Sequence, residues 1–139
     1  MIRIVVDTNV LVSGFLFGGL PLRVLEAGRS GIVELCTSQP LLDEFTEVIE
    51  RRHFDKKFAE TGISRRRMMS DYAAISTVLE TDRLIDPVSR DPDDDEVLAC
   101  AIAADCEFVV TGDQDLLVLE EYRGIRIRTA AEFLSELGL

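Results

Sequence analysis

Carboxylates are the residues of this chain whose types and spacing suit chemistry. Asp7 follows the apolar run Ile4-Val5-Val6 directly and precedes Thr8 and Asn9. Asp113 follows Phe108-Val109-Val110-Thr111-Gly112, with Asp115 close behind, and Arg90 to Glu96 packs five acids (Asp91, Asp93, Asp94, Asp95, Glu96) into seven residues. Acids in a first helical turn favour the helix dipole by about 0.3 to 1 kcal/mol each, which accounts for one or two of them. Five at this density repel one another and require a cation nearby. Oxygen donors without His or thiolate partners select Mg²⁺ or Mn²⁺ over zinc, and Mg²⁺ keeps waters that a phosphate can replace. Such a site suits phosphodiester hydrolysis, with one ion or two.

The acids converge only if the chain folds to bring them together. Ile2 to Val6 reads as a buried strand from its β-branched, apolar bias. Taken alone, Asp7 is an even choice between a site residue and an ordinary cap for the helix Val10 to Phe17, and Asn9 also suits that cap. Gly18-Gly19 breaks that helix, Pro21 suits the first turn of a second helix ending before Gly31, and Ile32 to Thr37 reads as a strand. Ser38 suits the cap of a helix from Gln39 to Arg51, on which Leu41, Leu42, Phe45, Val48 and Ile49 form one apolar stripe with Glu44 at its border. After Gly62, Ser64 suits the cap of a helix running to about Glu80, with Met68, Tyr72, Ile75 and Leu79 as its core face. Leu84-Ile85 reads as a very short strand before Pro87. Phe108 to Thr111 and Ile125 to Arg128 read as further strands, and Thr129 as the cap of a helix to Leu137. Strands alternating with helices imply an α/β fold of three α/β/α layers around a mainly parallel sheet of four to five strands. In such a sheet the crevice lies at the carboxyl ends of the strands, where strand order reverses, so Asp7, Glu44, the Asp94/Asp95 pair and Asp113 share one rim.

At 139 residues, 47% hydrophobic and 29% charged, the chain is expected to form one domain over residues 1 to 139. A formal net charge of −11 argues against a polyanionic partner until charge is counted by segment. Between Arg51 and Arg67, seven basic residues (Arg51, Arg52, Lys56, Lys57, Arg65, Arg66, Arg67) face only Asp55 and Glu60. This basic island is a solvated helical face in its plainest reading, and otherwise a guide for an RNA backbone or for an acidic protein partner. Cys36, Cys100 and Cys106 lack any CxxC spacing and read as core thiols in a reducing cytoplasm. Val10 to Phe17 is too short to span a membrane and lacks a cleavage site, so no membrane association is expected. His53 has no partners at metal-site spacing, which argues against a role as general base.

Four segments, Asp7-Thr8-Asn9-Val10-Leu11, Ser38 to Glu44, Asp91-Pro92-Asp93-Asp94-Asp95 and Thr111-Gly112-Asp113-Gln114-Asp115-Leu116-Leu117, together resemble the PIN-domain family, in particular its toxin components of toxin-antitoxin pairs. The resemblance implies a metal-dependent endoribonuclease using Mg²⁺ or Mn²⁺. Its pocket would comprise Asp7, Glu44, one of Asp94 and Asp95, and Asp113, with Asn9 and Thr111 supporting by hydrogen bonds; Asp115 is an even choice between an outer acid and a helix cap. Wheel position favours Asp94, which shares a face with Leu98 and Ala101, whereas spacing to Thr111 in relatives favours Asp95; both are retained. RNA as substrate, a cognate antitoxin and a homodimer are implied by the same resemblance. A PIN-like binding or regulatory module with little nuclease activity is the competing reading. Phosphoryl-transfer folds with an Asp after the first strand use a lysine from the second half of the chain, but the only lysines here are Lys56 and Lys57. A dinucleotide site would need GxGxxG where Asp7 stands.

Overall fold

A computed structural model describes every residue except Arg83 and Ile85. Strand β1 (Ile2–Val6) leads into helix α1 (Thr8–Phe17), whose first turn starts at Asp7: the amides of Val10 and Leu11 both donate to the Asp7 carbonyl, 3.0 Å away in each case. The helix therefore begins two residues before Val10. Gly18 and Gly19, both at positive φ, turn the chain into α2 (Gly19–Arg29), bent 99° from α1. No single described helix is long and apolar enough to cross a membrane.

Strand β2 (Val33–Ser38) runs into α3 (Gln39–Ile49), which stops short of Arg51. Ser38 occupies the cap position, but its side chain makes no cap hydrogen bond, correcting that expectation. A 3-10 turn at Arg52–Phe54 and the short helix α4 (Asp55–Thr61) carry the basic island to Gly62, whose left-handed φ of 73° ends α4. Ser64 caps α5 (Arg65–Ile75) by accepting from the Arg67 amide. This helix ends before the expected Glu80. Ser76 donates its hydroxyl to the Tyr72 carbonyl, and Ser76 to Leu79 form strand β3 beside β2. Helical spacing of Ile75 and Leu79 was misleading because Thr77 and Val78 are β-branched and an open edge of β2 lies within reach. The strand expected at Leu84-Ile85 lies partly outside the described residues, and Leu84 itself is in no strand.

Helix α6 (Pro92–Ala103), strand β4 (Phe108–Val110), helix α7 (Gln114–Leu117), strands β5 (Glu121–Tyr122) and β6 (Ile125–Arg128), and helix α8 (Ala130–Leu137) complete the fold. Arg123 and Gly124, both at positive φ, form the two-residue turn that folds β5 back onto β6. Thr129 and Glu132 close a reciprocal capping box on α8.

One six-stranded sheet of order β3-β2-β1-β4-β6-β5 results, parallel throughout except for β5. The expected four to five strands become six through the unforeseen edges β3 and β5. Side chains alternate across it: Ile4, Val6, Phe108 and Val110 pack with Phe45, Tyr72 and Phe133 on one face, and Val5, Val109 and Ile127 with Leu98 and Leu116 on the other. The chain runs from β1 outward through β2 and β3, then returns to the other side of β1 with β4, so strand order reverses between β1 and β4.

Helices α1 and α2 pack closely at Gly14, where an added Cβ would lie 2.6 Å from Leu25 Cδ1 and 3.1 Å from the Pro21 backbone. Gly14→Ala is expected to destabilise the protein by about 1 to 3 kcal/mol. Urea unfolding followed by circular dichroism measures this, and an unchanged midpoint would show that the two helices can separate without cost.

Candidate metal centre

The reversal between β1 and β4 places Asp7 and Thr111 side by side. The Asp7 amide donates to the Val110 carbonyl at 2.9 Å, and the Thr111 hydroxyl donates to Asp7 Oδ2 at 2.7 Å. Asp7 is only 6% exposed and Thr111 is fully buried. Although Asp7 stands at the cap position of α1, its carboxylate makes no cap hydrogen bond there. Its Oδ2 accepts the Thr111 hydroxyl from the neighbouring strand instead. Thr111 in turn accepts from the Asp113 amide at 3.0 Å, and Asp113 accepts from the Asp115 amide as the cap of α7. A continuous chain of hydrogen bonds thus links Asp7 to the start of α7.

Helix α6 brings the next acids. Asp91 caps it by accepting from the Asp93 amide, with Pro92 in the first turn. One position separates two fates. Asp94 faces inward, 4% exposed, and accepts the Ser89 hydroxyl at 2.8 Å. Asp95 turns to the preceding loop and accepts the amides of Val88 and Ser89, each at 3.0 Å. Carboxylate oxygens of Asp94, Asp113 and Asp115 all lie within 4.8 Å of one another, close enough to share one ion. Asp115, expected as an outer acid, is a member of this group. It is also 3.4 Å from the Arg90 guanidinium.

Glu44 is half-buried on α3, and its charge opposes those of Asp93, Asp7 and Asp91. Asn9 is exposed on α1 and its side chain makes no hydrogen bond among the described residues. Thr8 is buried, and its hydroxyl faces Glu44 while its amide faces the Asp7 carboxylate. Thr8 and Asp91 border the acids without having been singled out in the sequence. Asp91 bears electrostatically on Asp7, Glu44 and Asp94. Pro92 in the first turn marks Asp91 as the cap of α6, and that was the signal available for it.

Among the basic residues, Arg65 is committed within the fold: it donates to the Ile49 carbonyl, pairs with Asp55 and lies over the Phe58 ring. Arg67 pairs with Asp71, and Lys57 approaches both Glu60 and the Phe17 ring. Arg51, Arg52, Lys56 and Arg66 are exposed. His53 is exposed and stacks on Phe54, with ring centroids 4.1 Å apart. Cys36, Cys100 and Cys106 are buried free thiols.

Burial pushes Glu44 up to about 7, reinforced by Asp93, Asp7 and Asp91 and opposed by Thr8. Burial likewise pushes Asp94 up to about 7, against the Ser89 hydrogen bond and with Asp113 and Asp91 adding to the rise. Asp7 is raised by burial in the same way, opposed by Thr111 and the Thr8 amide, with Asp113 and Asp91 adding to the rise. Repulsion among close oxygen donors is what a hard divalent ion relieves, and the donor set holds no nitrogen or sulfur. The residues therefore fit Mg²⁺ or Mn²⁺.

A carboxyl group raised in the folded state stabilises the fold fully below its ordinary value, 3.8 for Asp and 4.5 for Glu, and loses that contribution as pH rises through about 7. Metal-free protein is expected to melt at a lower temperature at pH 8 than at pH 5.5. Mn²⁺ should raise the melting temperature more at pH 8, where the ion displaces fewer protons. Differential scanning fluorimetry at the two pH values, with and without the ion, checks both statements.

Residues 3–115 match the family described as PIN domain. No relative among the curated proteins matches the chain.

Proposed function

This chain belongs to the PIN-domain family, a nuclease-type fold, and we propose that it is a metal-dependent endoribonuclease acting as the toxin of a toxin-antitoxin pair. The observation that carries the reading is the convergence of Asp94, Asp113 and Asp115 within 4.8 Å at the sheet rim that also holds buried Asp7. Asp94, Asp113 and Asp115 would hold a first Mg²⁺ or Mn²⁺, with Asp7 and Glu44 completing the pocket. An ion bound there lowers the pKa of the attacking water and neutralises charge on the phosphate. The chain's own part is positioning. Thr111 holds Asp7 ionisable in a buried setting, Ser89 orients Asp94, and the Asp113 cap keeps α7 against the cleft. Asp95 acts through the loop that its carboxylate holds, not on the ion.

Single-stranded RNA incubated with Mn²⁺-loaded protein should be cut, and chelation by EDTA should stop it. Asp7→Asn and Asp94→Asn should each lower the rate by roughly a hundredfold or more. Asp95→Ala should retain most of the rate while lowering stability by about 1 to 3 kcal/mol, because the Val88 and Ser89 amides lose their acceptor. Equal cleavage by wild type and Asp7→Asn would sink the proposed site, and no cleavage by any of them would favour a binding or regulatory module. Expression of the wild type but not of Asp7→Asn should arrest growth if the protein is a toxin.

The exposed part of the basic island, Arg51, Arg52, Lys56 and Arg66, is proposed to lead the RNA backbone to the pocket. Arg67 and Lys57 contribute after exchanging their surface partners, while Arg65 is left to its structural role. A cognate antitoxin, a homodimer and a cytoplasmic setting belong to the same proposal, and the three free thiols support the last. Charge reversal at Arg51, Arg52 and Arg66 should weaken RNA binding and flatten the plot of log affinity against log salt, by roughly 0.7 for each phosphate left without its cation. Fluorescence anisotropy across a salt series measures the slope, and an unchanged slope would remove the island from the RNA path.

A further inference from the structure

Arg90 is the described cation whose ion pair reaches the acid group, yet its side chain is 90% exposed. Its backbone is held while its head is not. Ser89, just before it, donates its hydroxyl to Asp94 at 2.8 Å and its amide to Asp95 at 3.0 Å. The guanidinium meets Asp115 at 3.4 Å, longer than the roughly 2.7 to 2.9 Å usual for a charge-assisted hydrogen bond. An exposed pair of that length contributes little and exchanges readily for a better partner. Arg90 also lines a cavity of about 510 Å³ together with Pro87, Ser89, Pro92, Asp95 and Glu96. That size lies within the usual range for small-molecule sites.

We propose that this cavity is a nucleotide subsite for the RNA substrate, in which Arg90 grips the phosphate beside the metal centre and the cavity takes the adjoining base, with preference for guanine. The inference rests on the ribonuclease reading above and adds a site to it. A planar guanidinium matches two phosphate oxygens at once, so a phosphodiester is a better partner for Arg90 than Asp115 is. Pro87 and Pro92 give the cavity apolar walls for a flat ring. Among the described residues that line it, the ionised groups beside Arg90 are the carboxylates of Asp95 and Glu96, which only accept hydrogen bonds. Asp95 already accepts two backbone amides through Oδ1, leaving its other oxygen and Glu96 to an incoming ligand. Guanine presents N1–H and N2–H₂ side by side, two donors that match the two oxygens of one carboxylate. Uracil presents one N–H between two carbonyls, which a carboxylate repels.

The test compares a uridine RNA octamer with the same octamer carrying one central guanosine. Binding is read by fluorescence anisotropy in Ca²⁺, with a denaturing gel showing that the RNA stays intact. Wild type should bind the guanosine octamer roughly tenfold more tightly, and Glu96→Gln should level the two, because an amide cannot offer two acceptors. Arg90→Ala should weaken both roughly tenfold and flatten the salt slope, and Arg90→Lys should restore part of the loss. Equal affinity of wild type for the two octamers, or an Arg90→Ala variant that binds as wild type does, overturns the subsite while leaving the nuclease reading in place. Wild type that binds neither octamer and cuts no RNA in Mn²⁺ overturns both.

Discussion

The parallel pairing of β1 with β4 is the constraint on which the rest of the structure depends. It joins Ile4 to Phe108, Val5 to Val109 and Val6 to Val110, and so ends both strands at the same height. Beyond that height the chain must leave the sheet, and what it carries there is Asp7 on one strand and Thr111 on the next. A carboxylate that is 6% exposed requires a donor, and the Thr111 hydroxyl at 2.7 Å supplies it. Without that neighbour the burial of Asp7 would be a serious cost. With it, the carboxylate sits at the rim where the sheet changes direction and where a ligand can reach it.

Around this pair the fold tolerates an unusual density of like charge by dividing the acids among tasks. Asp91 and Asp113 commit part of their acceptor capacity to the amides of Asp93 and Asp115 as helix caps. Asp95 ties down the loop before α6. Asp94 accepts only a hydroxyl, and Glu44 is faced by the Thr8 hydroxyl. The acids left with least compensation are those whose protons are held to about pH 7. That is the condition of a site tuned to a cation rather than of a helix terminus tuned to its own dipole.

Charge elsewhere is sorted by the same competition for partners. Arg65 lies under the turn after α3, bonded to the Ile49 carbonyl and to Asp55, and so joins the basic island to the core. Its neighbours Arg66 and Arg67 are exposed, though Arg67 has a helical partner in Asp71. An island that looks uniform in the sequence is therefore part scaffold and part surface. Arg90 stands apart from it, outside any helix, across the cleft mouth from α6 to α7.

Much of this was legible in the residues themselves. Apolar runs of β-branched side chains located β1, β2, β4 and β6, and Gly62, Ser64 and Thr129 marked boundaries through backbone and capping chemistry that acts over a few residues. Helical periodicity alone pointed Asp94 toward the core, and its 4% exposure agrees. The competing assignment of Asp95 rested on spacing, which says nothing of the loop amides that Asp95 in fact serves. Other features depended on partners distant in sequence. β3 exists because β2 offers an edge, and β5 because a tight turn returns it to β6. The sequence by itself determined which residue types could do the chemistry and which elements would carry them, since propensity and periodicity are local. Only the tertiary structure decided which acid faces which, because a buried carboxylate takes its partner from whatever strand the sheet lays beside it, and for Asp7 that strand lies 104 positions away.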